Sequence, residues 1–325
     1  MKPAPPSANP PHASSSSTLT PRVVVVHRRT EREQIVRERG TWGQAKFQAS
    51  RAPSASVAKA AVAALDNVKK RHDSTETAMQ AVSAAIPGGW RRGSVEREDL
   101  DRFLFEPEDI VVVVGQDGLV ANVAKYLDGQ PVIGIDPNPG RGMGVLTRHR
   151  PEDCARLLDA TARGRAATQQ RTMVEAAVDG SGSGLGLTAL NEIYLGSPTH
   201  QSARYELTLP DGRTEAQSSS GLLAGTGTGA TGWLLSVARE RNSPLPLPTP
   251  TDRTLGWFVR EAWPSPSTGA DLTEGLLADQ QNLTILVRSE TLVLFGDGME
   301  ADRVPLTWGQ TITITPAART LTLIT

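Results

Sequence analysis

The stretch Val111–Leu127 reads VVVVGQDGLVANVAKYL. A β-branched apolar run stops at Gly115, and Asp117 is the only charge in the turn that follows. Beyond it, Leu119, Val123 and Leu127 fall on one helical face. The expectation is a buried strand, a tight glycine turn and a helix. One carboxylate then stands at the carboxyl end of a strand, beside the positive end of a helix. Open α/β sheets carry phosphate and metal chemistry at such turns.

Upstream, Arg22–His27 (RVVVVH) is a second near-continuous apolar run, read as a buried strand. The charged segment Thr30–Lys46 is read as helical. Val57, Ala61, Leu65 and Val68 recur at helical spacing and predict a helix over Ser54–Lys70. A second helix is expected over Thr75–Ala85, stopped by Pro87-Gly88-Gly89. The charged segment Arg91–Leu104 leads to the strand Asp109–Val114. Gln130–Ile135 is a further short strand, and Pro137–Gly144 (PNPGRGMG) a loop. Strand and helix alternate, which argues for a parallel sheet covered on both faces.

The second half changes character. Glu175–Val178, Thr188–Leu195 and Tyr205–Leu209 read as short strands. They are parted by the turn clusters DGSGSGLG, Gly196–Ser202 and Pro210-Asp211-Gly212. A helix is expected at Trp233–Arg241, then a proline-rich loop, NSPLPLPTPTD, that cannot be a central strand. From Asn282 to Thr325 come LTILVR, TLVLFGDGMEAD, TITITP and TLTLIT, strand after strand. The fold class is therefore an α/β N-terminal domain with a parallel sheet, followed by a mostly antiparallel β domain. The expected division is a tail over 1–20, a phosphate-binding α/β domain over 21–165 and a β-rich substrate domain over 166–325.

Composition narrows the function. The chain has 325 residues, a net charge of −1 and one cysteine, Cys154. No basic excess or stripe marks a nucleic-acid partner. The longest apolar runs are far too short to span a bilayer. One cysteine excludes an intramolecular disulfide framework, and in its helical setting Cys154 reads as a small buried residue. Residues 1–20, rich in proline, serine and alanine, lack the apolar segment of a secretory signal and are expected to be disordered. The default location is the cytoplasm. The five histidines lack metal-ligand spacing, and neither a G-x-x-x-x-G-K-S/T loop nor a G-x-S-x-G elbow is present.

Three signals carry chemistry. In Gly115-Gln116-Asp117-Gly118 the glycines let backbone N–H groups approach an anion. The carboxylate can hold Mg²⁺ or accept a proton from an attacking hydroxyl. Four other Asp-Gly pairs, at Asp128, Asp179, Asp211 and Asp297, warn that the dipeptide alone is an ordinary turn. The second signal, Ser218–Arg241, satisfies G-x-G-x-x-G with Gly227, Gly229 and Gly232. Its place in the β-rich half, with Asp252 following prolines, rules out the Rossmann form. What stays is a glycine- and threonine-rich loop opening a helix and offering N–H and hydroxyl donors to a phosphate or ribose. The third is Asn191-Glu192, read as interrupting an apolar strand. Period-two alternation would put one on each face, so exposure accounts for at most one.

Together these resemble the NAD kinase family. Those enzymes carry G-G-D-G-T, then G-I-N-x-G-x-L-G-F-L, an N-E pair, and D-G-x-x-x-S-T-P-T-G-S-T-A-Y. The similar stretches here are Gly115–Leu119 (GQDGL), Gly134–Leu146 (GIDPNPGRGMGVL), Ala189–Glu192 (ALNE) and Ser220–Trp233 (SGLLAGTGTGATGW). The terminal LFGDGMEAD resembles the family's late D-G turn. Gln116, Leu119 and Ser220 depart from the family's glycine, threonine and aspartate. FVREAWPSPSTGADL stands where the family has P-H-S-L-S-F-R-P, and Thr30–Lys46 has no counterpart.

The resemblance implies ATP-dependent phosphorylation of a ribose hydroxyl, by default NAD to NADP, with Mg²⁺. Asp117 would be the catalytic base or metal partner. Gly115, Gln116 and Gly118 would cradle phosphate. Asn191, Glu192, Thr226, Thr228, Gly229 and Thr231 would hold the nucleotide substrate. The family's habit also implies a homo-oligomer. The departures keep two alternatives open: a kinase for another nucleoside, sugar or lipid, and a catalytically silent nucleotide-binding homologue.

Overall fold

The computed structural model describes residues 20–139, 144–179 and 185–325. The expected disordered tail, all but Thr20, lies outside the described residues. So do the centres of the PNPGRGMG loop and of the DGSGSGLG turn.

The first half contains β1 (Arg22–His27), α1 (Glu31–Arg39), α2 (Trp42–Ser50), α3 (Ala55–Ala85), β2 (Arg91–Glu96), β3 (Asp109–Val114), α4 (Asp117–Ala124), β4 (Pro131–Ile135) and α5 (Cys154–Ala162). The strands pair in the order β2-β1-β3-β4, all parallel. Alternation sorts the valines. Val24, Val26, Val111 and Val113 pack toward α4. Val23, Val25, Val112 and Val114 pack toward α3 and α5. The continuous apolar runs are thus the mark of a sheet buried on both faces. Cys154 is fully buried there, and burial pushes its thiol up to about 11, which suits an inert packing residue.

Three local expectations are corrected. The two helices expected over Ser54–Lys70 and Thr75–Ala85 are one, α3, because Arg71-His72-Asp73-Ser74 contains no glycine or proline. Thr30–Lys46 is not one helix. It breaks at Gly40, whose φ of +84° suits glycine, and Thr30 and Thr41 each head a capping box, α1 with Glu33 and α2 with Gln44. Arg91–Leu104 hides an edge strand, β2, whose charged residues mask its period.

The second half contains β5 (Thr168–Asp179), β6 (Gly186–Ala189), β7 (Glu192–Gly196), β8 (Ala203–Thr208), β9 (Thr214–Ser219), β10 (Gly221–Gly225), α6 (Trp233–Arg241), β11 (Leu255–Arg260), β12 (Glu274–Leu277), β13 (Leu283–Val287), β14 (Thr291–Gly296), β15 (Val304–Thr307) and β16 (Thr311–Ile324). One antiparallel sheet runs β12-β11-β10-β7-β14-β15. It packs on the strands around β5, β8, β13 and β16, with Ile193, Leu195, Leu222 and Leu294 facing Val174, Leu207, Ile285 and Ile312 across the core. TITITP and TLTLIT are one long strand, β16. It has β5 along one edge, and its other edge is shared: β13 takes the first part antiparallel and β4 the last part parallel. The last strand therefore joins the α/β sheet to the β half.

At the base of the α/β sheet Arg22 donates to both oxygens of Asp109, at 2.7 and 2.6 Å, and Asp109 has no exposed surface. Asp109 also accepts the N–H of Glu106 at 2.8 Å. Removing one member of a buried pair costs about 3–5 kcal/mol. Asp109→Ala is expected to lose stability near the low end of that range, since Arg22 keeps some exposure; urea unfolding measures it, and a loss below about 1 kcal/mol would show the pair to be idle.

Candidate functional site

The glycine turn forms as read. Gly115 leaves β3 with its N–H on the carbonyl of Ile135 at 3.1 Å, Gln116 is extended, and α4 starts at Asp117. The Asp117 carboxylate is heavily engaged. Oδ1 accepts from the N–H groups of Leu146 (3.0 Å) and Thr147 (2.8 Å) and from the Thr147 hydroxyl (2.9 Å); Oδ2 accepts from Val145 N–H at 2.7 Å. The carboxylate thus anchors the segment that returns from the loop after β4. Gly134 makes this possible: a Cβ there would lie 2.1 Å from the carbonyl oxygen of Leu146. Among the described residues, Oδ2 accepts only the Val145 bond, which leaves it a further lone-pair direction.

Asn191 and Glu192 do not interrupt a strand. β6 ends at Ala189, Leu190 and Asn191 form a corner, and β7 starts at Glu192. The corner carries the chain from the sheet of β5 to the sheet of β10. Alternation does not extend across it, so both side chains reach one cleft. Its backbone is fully held. The N–H groups of Leu190 and Asn191 donate to Asp297 at 2.8 and 2.7 Å. Thr226 donates its hydroxyl to the Leu190 carbonyl at 2.6 Å and its N–H to the Asn191 carbonyl at 2.9 Å. The Thr226 hydroxyl in turn accepts from the N–H groups of Thr228 and Gly229 at 3.1 and 3.3 Å.

The cleft, of about 560 Å³, lies between the α/β half and the β half. Asp117 and Leu146 wall one side; Asn191, Glu192, Thr228, Gly229, Thr231 and Trp233 wall the other. Thr226, expected to touch substrate, is completely buried and lies beneath the cleft rather than in its wall. The Thr228 hydroxyl is buried with no partner among the described residues. Burial, with the nearby Asp297 charge, pushes the Glu192 carboxyl up to about 8. Burial pushes Asp297 up to about 6, against the N–H groups that favour its charged form. Gly227 and Gly229 are required by packing: a Cβ would meet Thr249 at 2.0 Å and the Asn191 carbonyl oxygen at 2.3 Å respectively.

Gly115 and Gln116 face a different, smaller cleft of about 140 Å³, at the carboxyl ends of β1, β3 and β4. Its other walls come from the α1 end and from α3: Arg28, Thr30, Arg71 and His72. Arg71 pairs with Glu31 at 2.5 Å, and the His72 ring lies 2.9 Å from the Thr30 hydroxyl and 2.8 Å from Arg32. The start of α4 has no side-chain cap. Gly118 lines neither cleft. Among the described residues, the one group of three potential metal ligands is Glu33, His72 and Glu76, which does not include Asp117.

Sequence reasoning passed over Asp297, Trp233, Arg28 and Arg71. Asp297 was visible as one of five Asp-Gly pairs and within the LFGDGMEAD stretch that resembles the family's late D-G turn, with no role attached to it. Trp233 stacks on Tyr194 with centroids 5.3 Å apart, and the Arg260 guanidinium lies 5.6 Å from its ring; only the fold brings these together.

No family model matches the chain. Curated proteins do. It is 36% identical over 138 residues to the NAD kinase of Acinetobacter baylyi, covering 41% of this chain and 44% of that protein. It is 33% identical over 142 residues to the NAD kinase of Ectopseudomonas mendocina, covering 42% and 46%. It is 32% identical over 163 residues to the NAD kinase of Hahella chejuensis, covering 49% and 52%. The chain thus spans about half the length of the curated relatives it matches. No helix among the described residues is long and apolar enough to cross a membrane.

The raised Glu192 fixes a sign for pH dependence. Between the ordinary carboxylate range and about 8, the folded state holds a proton that the unfolded state has lost, so stability falls as pH rises. Melting temperatures across that range are expected to fall for the wild type and to fall less for Glu192→Gln; parallel curves would contradict the assignment.

Proposed function

We propose that this chain, a divergent member of the NAD kinase family, is a phosphotransferase. It moves a phosphoryl group from a nucleoside triphosphate to a ribose hydroxyl, by default the adenosine 2′-hydroxyl of NAD. The observation that carries the reading is that Asp117, Asn191, Glu192 and the buried Thr228 hydroxyl, which has no partner among the described residues, wall one cleft. Phosphoryl transfer asks a protein mainly for positioning and charge stabilisation, and this cleft offers both.

In this reading the acceptor nucleotide occupies the larger cleft. A Glu192 carboxyl that keeps its proton near neutral pH can both donate to and accept from a ribose diol. Asn191 and Thr228 add an amide and a hydroxyl, and Trp233 offers an aromatic face. Asp117 would accept a hydrogen bond from the acceptor hydroxyl or help hold the Mg²⁺ that accompanies the triphosphate. The donor set fits that ion in a limited way, since Mg²⁺ is commonly held by one or two carboxylates together with phosphates and waters. The smaller cleft takes the donor's phosphates, with Gly115, Gln116, Arg28 and Arg71 around them. The two clefts adjoin at the Gly115–Asp117 turn.

One specific observation favours a second acceptor class. Trp233 stands where the family motif has tyrosine, and its ring is held by stacking on Tyr194, with the Arg260 guanidinium nearby. A larger, fixed ring reshapes the wall that meets a base, which supports a different nucleoside as acceptor on the same machinery. Ser220, by contrast, does not line this cleft.

Incubation with NAD, ATP and Mg²⁺ is expected to yield NADP. Asp117→Asn is expected to lower turnover by about 10²-fold or more, and full activity in that variant would sink the assignment. It also places an amide against three N–H groups of Val145–Thr147, so its melting temperature is expected to fall as well. Arg28→Ala is expected to raise KM for ATP about tenfold, the scale of one charge-assisted bond, while KM for NAD stays put. Equal effects on both substrates would remove the donor from the smaller cleft.

A further inference from the structure

The hairpin after β14 touches both halves of the molecule. Asp297 is its first residue, buried, with φ of +53°, a left-handed conformation that aspartate tolerates better than most residues. Toward the β half, its carboxylate holds Leu190 N–H and Asn191 N–H, and its own N–H donates to the Glu192 carbonyl at 3.2 Å. Toward the α/β half, its carbonyl accepts from the Asn122 amide of α4 at 2.9 Å, and Asn122 accepts from Arg97 at 2.7 Å. Further along the same hairpin, Asp302 accepts from the Tyr126 hydroxyl at 2.7 Å and pairs with Lys125, just past the end of α4.

The corner backbone leaves little freedom. Its two N–H groups go to Asp297 and its two carbonyls to Thr226. Only the Asn191 and Glu192 side chains stay available, and both wall the larger cleft. The opposite wall is Asp117, the first residue of the helix that Asn122 belongs to. One residue thus braces the polar walls of the cleft to each other.

Resting on the phosphotransferase reading, we infer that Asp297 is a positioning residue for the acceptor nucleotide, setting Asn191 and Glu192 against Asp117. Two neighbouring N–H groups aimed at one side chain call for two acceptor oxygens and no donor, which a carboxylate supplies. Asparagine is the same size and tolerates the same backbone conformation, but it turns one of the two acceptors into an NH₂ facing an N–H. The change therefore disturbs the corner while leaving the smaller cleft untouched.

The test compares wild type with Asp297→Asn in the full chain, by calorimetric titration with NAD, steady-state kinetics and thermal melting. The expected result is NAD affinity weakened about tenfold or more, with KM for NAD rising in step and KM for ATP within about twofold. A merely structural role would lower the active fraction, and so kcat, and leave both KM values alone. Asn122→Ala, which cuts the brace to α4 and keeps the corner clamp, is the second variant. It is expected to lower kcat more than it weakens NAD binding, and it carries the test if Asp297→Asn does not fold. Unchanged NAD affinity in Asp297→Asn, or equal loss toward NAD and ATP, overturns the inference; if that variant does not fold, unchanged kcat in Asn122→Ala overturns it. Wild-type protein that binds NAD but transfers no phosphate overturns only the kinase reading. Wild-type protein that does not bind NAD overturns both.

Discussion

Backbone pairing along β16 is the constraint from which the rest of the molecule follows. A strand has two edges, and this one is long enough to divide one of them. β5 takes one edge throughout, while β13 and β4 share the other. Because β4 belongs to the parallel sheet, the β half is hydrogen-bonded to the α/β half through a continuous ladder rather than across a linker. The cleft between the halves inherits that rigidity: its α/β wall hangs from the turn after β3, next to β4, and its β wall from the corner after β6, next to β5.

Within the cleft the governing effect is the cost of burying carboxyl groups. Each is treated differently. Asp117 is surrounded by donors, three of them backbone N–H groups. Asp297 has two such donors but is almost fully enclosed, and burial outweighs them. Glu192 lacks a hydrogen-bond partner among the described residues, and burial holds the proton on its carboxyl more tightly than on that of Asp297.

Much of this was legible in the residues. The valine runs of β1 and β3, the Gly115–Asp117 turn, the parallel-then-antiparallel order of the halves and the Asn191-Glu192 pair were readable from local pattern. The reason Asn191 and Glu192 share a cleft was not. Read as a strand they would diverge; the corner that unites them exists because Leu190 and Asn191 find acceptors on Asp297, about a hundred residues away. Gly227 and Gly229 looked like a phosphate loop, yet their glycines answer to the proline-rich loop and the corner backbone. The smaller cleft depends on α1 and α3 meeting the β3 turn, which no local spacing encodes.

By itself, then, the sequence determined where strands and helices form and which short stretches carry polar chemistry, because burial period, caps and glycine turns act over a few residues. Only the tertiary structure decided that Thr226 lies buried against the corner backbone, that Asp297 bonds to both halves and that Gly115–Gln116 and Asp117 face separate clefts. Those outcomes rest on hydrogen bonds and close approaches between residues far apart in the chain. Such contacts are set by how β16 and the corner bring the two sheets together, not by the identity of any neighbour in sequence.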